Sequence, residues 1–293
     1  MEAGSYPTSI AELPAWRKQN GTTTEEARRR LVQFVILASI SSSTALVSCV
    51  AFKGGNALRF VYGNKRSTLD LDFSADGDFP DSPADIKALM NAALMTGERQ
   101  YQVKARCQSI HRLPPGVDKT MPTYRIKVCF QLPGDRHFQN IDERLAAGKN
   151  LSDVVEVEIS LNDVLCETGD EQLSPEAKPL RVCTLDDILS EKLRALLQQV
   201  PRNRSRPQDV FDIASMLLKH LELIDPGKVS SFLLRKSEAR EIVATKGAFN
   251  DDVRGRASLS YDAEVREFTT EFIPFDDAWA EVLALVSRLT IPD

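Results

Sequence analysis

The chain has 293 residues and a formal charge of −5, with 42% apolar and 27% charged side chains, which suits one large or two modest domains able to bury a core unaided. A mildly acidic balance excludes a bulk nucleic-acid coat while leaving room for a local basic groove. Five scattered cysteines (Cys49, Cys107, Cys129, Cys166, Cys183) and three separated histidines (His111, His137, His220) exclude a disulfide frame and a zinc hydrolase.

Residues 1–22 are polar, hold Pro7, Pro14 and Gly21, and read as an arm or short helix without a secretory leader. Thr22–Glu26 opens a helix with acids in its first turn, running to about Ser41. Its apolar stretch, Leu31–Ile40, is too short to cross a bilayer. The expectation is a soluble, cytoplasmic protein with no membrane span. Val47–Phe52 reads as a buried strand ending at Gly54-Gly55, and Ala57–Tyr62 as a helix closed by Gly63-Asn64. In Leu69-Asp70-Leu71-Asp72-Phe73 the alternation puts Leu69, Leu71 and Phe73 on one strand face, Asp70 and Asp72 on the other. A helix follows over 82–97. Strands follow over 101–110 and 124–132, divided by a Pro114-Pro115-Gly116 turn. Val154–Leu161 alternates again, with Glu156 and Glu158 opposite an apolar face. From about 184 the pattern turns helical. One stripe is Leu189, Leu193, Leu196 and Val200; a second is Val210, Ile213, Ala214, Leu217 and Leu221. Between them lie Arg202, Arg204 and Arg206, before Pro207 at a helix start. The segment 226–293 holds further helix-like pieces, Trp279–Leu289 the clearest.

The chemistry concentrates in two places. Carboxylates at i and i+2 on one strand face sit about 6–7 Å apart; they repel unless a divalent cation joins them, and Mg²⁺ takes hard oxygens from such acids plus substrate phosphates. A D-x-D alone is more often a solvent-facing strand edge. Phe52-Lys53-Gly54-Gly55-Asn56, however, lies at a strand-to-helix turn, where bare backbone N–H groups attract phosphate. A strand, a glycine loop, a short helix and a strand with paired acids bring the two features together.

The run Phe52-Lys53-Gly54-Gly55-Asn56-Ala57-Leu58-Arg59, then Arg66-Ser67-Thr68-Leu69-Asp70-Leu71-Asp72-Phe73-Ser74, resembles the signature of AbiEii/AbiGii-type nucleotidyltransferase toxins. Downstream, Glu191-Lys192-Leu193 with Ala195-Leu196, and Asp209-Val210-Phe211-Asp212-Ile213, are similar to a second block of that family. Asn56 stands where the family usually has Thr or Ser, and Gln208 where it usually has Arg or Lys. The resemblance implies a polymerase-beta-like α/β fold: a mixed sheet with flanking helices in residues 1–180, then a mainly helical part in 181–293 that contributes Lys192 and Asp209. It implies Asp70 and Asp72 as metal ligands and catalytic acids, Lys192 and Asp209 as further catalytic residues, and Lys53, Gly54, Gly55, Arg66 and Thr68 as nucleotide-binding.

The residues carry their own alternatives. Thr68, two before Asp70, shares its strand face in this reading, or is an ordinary β-former. Lys192 lies at the flank of an apolar stripe, between Ile188 and Leu196, where it snorkels or meets an anion. Asp209 lies nearer the apolar edge than Asp212, or is simply an acid in a first helical turn. Arg66 is a phosphate contact or a solvated turn charge. Glu156 and Glu158 read as an exposed strand face. Arg202, Arg204 and Arg206 are RNA-phosphate contacts or a solvated loop.

The function the resemblance implies is a Mg²⁺- (or Mn²⁺-) dependent nucleotidyltransferase acting from a nucleoside triphosphate onto an RNA acceptor, such as a tRNA end, with growth arrest as outcome and a separate antitoxin as partner. Alternatives are a small-molecule nucleotidyltransferase of the antibiotic-modifying kind and a non-catalytic nucleotide-binding regulator. Without a coiled-coil stripe, a monomer is the default.

Overall fold

The computed structural model describes residues 6–115 and 121–293; the first five residues of the expected arm and Gly116 of the expected turn lie outside them. The chain forms two compact units. The first takes residues up to 56, then 69–163 and 170–182; the second takes 57–68, 164–169 and 183–293.

The first unit begins with α1 (Leu13–Gln19) and α2 (Thr24–Ser42). Thr23 caps α2 by accepting from the Glu26 N–H at 3.1 Å, and Glu25 and Glu26 complement the positive end of the helix. From Arg30 to Ser41 every residue of α2 is buried, so it runs through the interior with no solvent face. The chain continues through the one-turn helix α3 (Thr44–Val47), β1 (Val50–Lys53) and α4 (Gly54–Phe60) to β2 (Leu71–Ala75) and α5 (Pro83–Tyr101). Ser82 caps α5, Pro83 occupies its first turn, and Gln102 ends it in the left-handed region. Here α5 crosses α2 closely: a Cβ on Gly97 would overlap Ser39 Oγ, so a larger residue would require Ser39 to turn away from its bond to the Val35 carbonyl.

Next come β3 (Lys104–Leu113), β4 (Thr123–Gln131), α6 (Ile141–Ala146), β5 (Val154–Ser160), β6 (Thr168–Glu171) and β7 (Leu180–Cys183). The seven strands form one mixed sheet in the order β3-β4-β5-β2-β1-β7-β6. β1 is antiparallel to β2, and β2 is parallel to β5. β5 alternates as expected: Val155, Val157 and Ile159 are buried, while Glu156 and Glu158 are half-buried on the opposite face. Burying three such side chains stabilises the sheet by about 1.5–3 kcal/mol each.

Boundaries differ from the sequence expectation at the points nearest the acids. Val47 belongs to α3 and the strand starts at Val50, because Ser43 caps an extra helical turn. α4 starts at Gly54 itself. β2 starts at Leu71, so Asp70 sits at the strand mouth and Thr68 lies before it, outside the strand, and Leu69 is 48% exposed instead of joining Leu71 and Phe73 in the core. Tyr101 closes α5 and does not start β3.

The second unit is helical: α7 (Leu185–Leu197), α8 (Pro207–His220), α9 (Pro226–Glu238), α10 (Asp251–Ser258), α11 (Tyr261–Phe268) and α12 (Phe275–Arg288). Thr184 caps α7. The stripes Leu189, Leu193 and Leu196, and Val210, Ile213, Ala214 and Leu217, are buried as the periodicity predicts, with α7 packed on α8 and α9, and α8 on α11 and α12. Among the described residues no helix is long and apolar enough to cross a membrane.

Candidate active site

In the first unit the pairing of three strands assembles a polar face. Lys53 lies opposite Asp72 across β1–β2, and Asp72 beside Glu158 across β2–β5; directly paired residues project to the same side. Gly54 follows Lys53 with φ +75°, a conformation that costs an L-residue about 1–2 kcal/mol. A Cβ there would overlap Oδ2 of Asp72. The Asp72 carboxylate is therefore seated against the bare backbone of the glycine loop.

Asp70 is tied to the same loop. Its carbonyl accepts from Asn56 Nδ2 at 2.6 Å. Asn56 in turn accepts from Arg30 Nη1 at 3.2 Å, and the same Nη1 donates to Gln33 Oε1 at 2.7 Å. Gln33 Nε2 donates to the Leu69 carbonyl at 2.8 Å. Arg30 is completely buried and is neutralised by Glu26 at 2.7 Å. This network, running from inside α2, fixes the backbone on both sides of the loop. It explains Asn56: its longer amide spans from Arg30 to Asp70, which a hydroxyl could not bridge alone.

Electrostatics mark Asp70. Burial raises its pKa above the ordinary carboxylate value, and the charges of Glu156 and Glu158 raise it further against the opposing pull of Arg125. Glu158 is held by Arg125 at 2.7 Å, and Glu156 by Lys127 at 3.5 Å, so the two glutamates are ion-paired across β4–β5 and not an exposed strand face. Lys53 gives its ammonium to Asp163, which also accepts from Ser74 Oγ at 3.0 Å. Asp163 escaped the sequence reading because it lies in a loop 110 positions beyond Lys53, outside every motif. The residues fit a divalent cation of the magnesium kind: carboxylate oxygens, crowded by like charge, beside a cradle that a Cβ would fill. Among the described residues no group of three or more His, Cys, Asp or Glu gathers for a metal; a magnesium ion takes one or two carboxylates together with phosphate oxygens and water.

The second unit holds a different cluster. Lys192 Nζ donates to Asp209 Oδ1 and to Asp212 Oδ2, both at 2.8 Å. Arg66 grips Asp212 with a two-pronged contact, Nε and Nη2 each at 2.8 Å, and Asn64 Nδ2 adds a third donor at 2.8 Å. Asp212 is wholly buried and Lys192 and Asp209 nearly so. Two cations and two anions leave the cluster neutral, as burial demands. Burial alone would raise the Asp212 pKa, but the Arg66 and Lys192 charges outweigh it and bring it down to about 2. Burial opposes the Lys192 charge, yet Asp209 and Asp212 prevail and the ammonium is held above its usual value.

Two expectations change here. Arg66 is no solvated turn charge; it is the main partner of a buried carboxylate. Asp212, set aside in favour of Asp209, is the deeper of the two, because positions i and i+3 on α8 both reach one Lys192 ammonium. Thr68 lies half-buried in the irregular segment before β2.

Gly54 offers a direct check. Gly54→Ala adds left-handed strain of about 1–2 kcal/mol and forces the Asp72 carboxylate off its seat, and a misplacement of about 1 Å costs on the order of 10²-fold in rate. The expected result is a melting temperature lowered by only a few degrees together with that much larger loss of the activity the site carries; near-normal turnover would show that the seating of Asp72 is unimportant.

A family model described as nucleotidyl transferase AbiEii toxin, type IV toxin–antitoxin system, matches residues 35–284. Among solved structures, MenT4, a nucleotidyltransferase toxin from Mycobacterium tuberculosis, is similar with a TM-score of 0.61 at 17% identity, covering 96% of this chain and 90% of its own. JHP933 from Helicobacter pylori is similar with a TM-score of 0.52 at 14% identity, covering 90% of this chain and 91% of its own. At these identities the likeness concerns the fold. No curated protein matches by sequence.

Proposed function

Since the chain belongs to the AbiEii family of nucleotidyltransferase toxins, we propose that it moves a nucleotidyl group from a nucleoside triphosphate onto a hydroxyl of an RNA acceptor, a tRNA end being the first choice, and so arrests growth in the cytoplasm until a separate antitoxin relieves it. The observation that supports this reading most directly is the Asp72 carboxylate seated on Gly54, with Asp70 tied to the same loop through Asn56.

Asp70 and Asp72 would hold Mg²⁺ (or Mn²⁺), which supplies charge neutralisation for the phosphates. The transfer joins the acceptor oxygen to the α-phosphorus and breaks its bond to the bridging oxygen of pyrophosphate, which departs; the hydroxyl proton leaves to base or water. Gly54 and Gly55 open α4, whose first-turn N–H groups have no partner within the helix, and these are assigned to phosphate oxygens. Lys53, whose ammonium is paired with Asp163, is assigned to the same phosphates and would have to exchange that partner for them. Lys192 is assigned to neutralising triphosphate charge, with Asp209 and Asp212 using two of its three N–H donors and keeping it protonated. Asp209 thus supports Lys192, and Arg66 supports Asp212.

The test incubates the purified protein with each α-labelled triphosphate and Mg²⁺, with and without total tRNA. Label on tRNA with stoichiometric pyrophosphate is the expected result. Label on small-molecule hydroxyls instead would favour an antibiotic-modifying type of enzyme, and tight triphosphate binding with no pyrophosphate release would overturn catalysis altogether.

A further inference from the structure

The turn between α7 and α8 is pinned at several points and carries two exposed arginines, Arg202 and Arg204, that make no ion pair among the described residues. Backbone bonds fold it back on the helix end: Arg202 N–H to the Gln198 carbonyl at 3.2 Å, Asn203 to Val200 at 3.1 Å, and Arg204 to Gln199 at 3.0 Å. Buried Gln199 receives the Arg206 N–H at 2.7 Å. Ser205 Oγ donates to the Arg256 carbonyl at 3.0 Å, and Arg256 Nη1 returns to Asn203 Oδ1 at 2.6 Å. The turn is therefore held in one shape, which reduces the ordering cost of binding.

From this fixed frame Arg202 and Arg204 project as exposed side chains; neither makes an ion pair among the described residues. Around Arg202 stand Arg240, Arg204, Arg194 and Arg206; burial, then these four charges, depress its hold on the proton. The acids at hand are already taken, Glu191 by Arg194 and Asp209 by Lys192. Arg194 is paired with Glu191 and Arg206 lies 3.8 Å from Asp209, so in a chain of net charge −5 the local positive field of the turn comes from the two exposed guanidinium groups of Arg202 and Arg204. Guanidinium forks match phosphate oxygens two at a time, and their weak hydration lowers the cost of contact.

We infer that the α7–α8 turn is a docking surface for the phosphodiester backbone of RNA, with Arg202 and Arg204 as its direct phosphate contacts. This rests on the proposed RNA acceptor and assigns it a surface; the contacts to backbone phosphate carry affinity, not sequence choice.

The experiment measures binding of labelled total tRNA to the full-length protein between 50 and 200 mM salt, for the wild type and for the double variant Arg202→Gln/Arg204→Gln. Both side chains are exposed, so folding is retained and is checked by melting temperature. Each phosphate contact contributes about 0.7–0.9 to the slope of log affinity against log salt. The expected result is roughly tenfold weaker binding at low salt and a slope smaller by about 1.4–1.8, while triphosphate binding is unchanged. Unaltered affinity and slope would overturn the surface, as would polyglutamate competing as well as tRNA at equal charge, which would favour an acidic protein partner. If tRNA binds through these arginines yet takes up no nucleotide, the surface stands and the acceptor assignment fails; if label still reaches tRNA equally in the variant, the reverse holds.

Discussion

Replacing Asp212 with alanine will destabilise the second unit by about 3–5 kcal/mol, because it leaves Arg66 and Lys192 buried with one fewer counter-charge. Arg66 loses both of its contacts to that carboxylate, and Asn64 loses its acceptor. Calorimetry or urea titration reads the effect. Asp212→Asn keeps the volume and part of the hydrogen bonding, and should recover some of the loss. The pH dependence has a definite sign. The folded pKa of about 2 lies below the ordinary aspartate value near 4, so the stabilisation is complete above about pH 4. It is lost as pH falls toward 2. Wild type should therefore lose its advantage over Asp212→Asn across that window. An advantage unchanged down to pH 2 would refute the ion pair as its source.

Replacing Asp72 with alanine should leave the fold intact and remove at least about 10³-fold of the transfer rate, since charge neutralisation at the phosphates is worth several kcal/mol and each 1.4 kcal/mol is tenfold. Asp70→Ala should do the same. The stability readout moves oppositely from that of Asp212. Asp70 is half-buried among the like charges of Glu156 and Glu158, so its removal relieves repulsion, and the metal-free variant should melt no lower than wild type. Mg²⁺ should raise the melting temperature of wild type and leave both variants unmoved. A variant that keeps its turnover, or keeps the Mg²⁺ response, would break the assignment of that aspartate.

Much of this arrangement was legible in the sequence, and the limits have physical causes. Alternation exposed β5 and periodicity exposed α7 and α8, because each buries one face and leaves a regular trace. The glycine loop and the paired acids stood out through spacing. The start of β2 did not: Leu69 continues the alternation by residue type, yet it lies before the strand and is half exposed, since Gln33 claims its carbonyl from inside α2. Arg30 reads as one of three consecutive arginines on a helix surface. Only the folded chain, which places Glu26, Gln33 and Asn56 around it, makes it an interior residue. Asp163 and Asp212 were hidden for a related reason: their roles depend on Lys53, Lys192 and Arg66, distant in sequence and brought near by tertiary structure alone.

The chain passes from one unit to the other and back, at residues 56–57, 68–69, 163–164, 169–170 and 182–183. Neither unit is a continuous stretch of gene. A fragment cut at 183 would carry Lys192, Asp209 and Asp212 but forfeit Asn64 and Arg66, leaving an interior carboxylate short of three of its donors. Recombination could not exchange the helical portion as a cassette; any exchange would also have to carry the six residues of 164–169 and the twelve of 57–68, the latter lying in sequence between the glycine loop and the paired acids. Evolution of the two portions is thereby yoked, one reading frame binding the carrier of the buried ion cluster to the carrier of the acids.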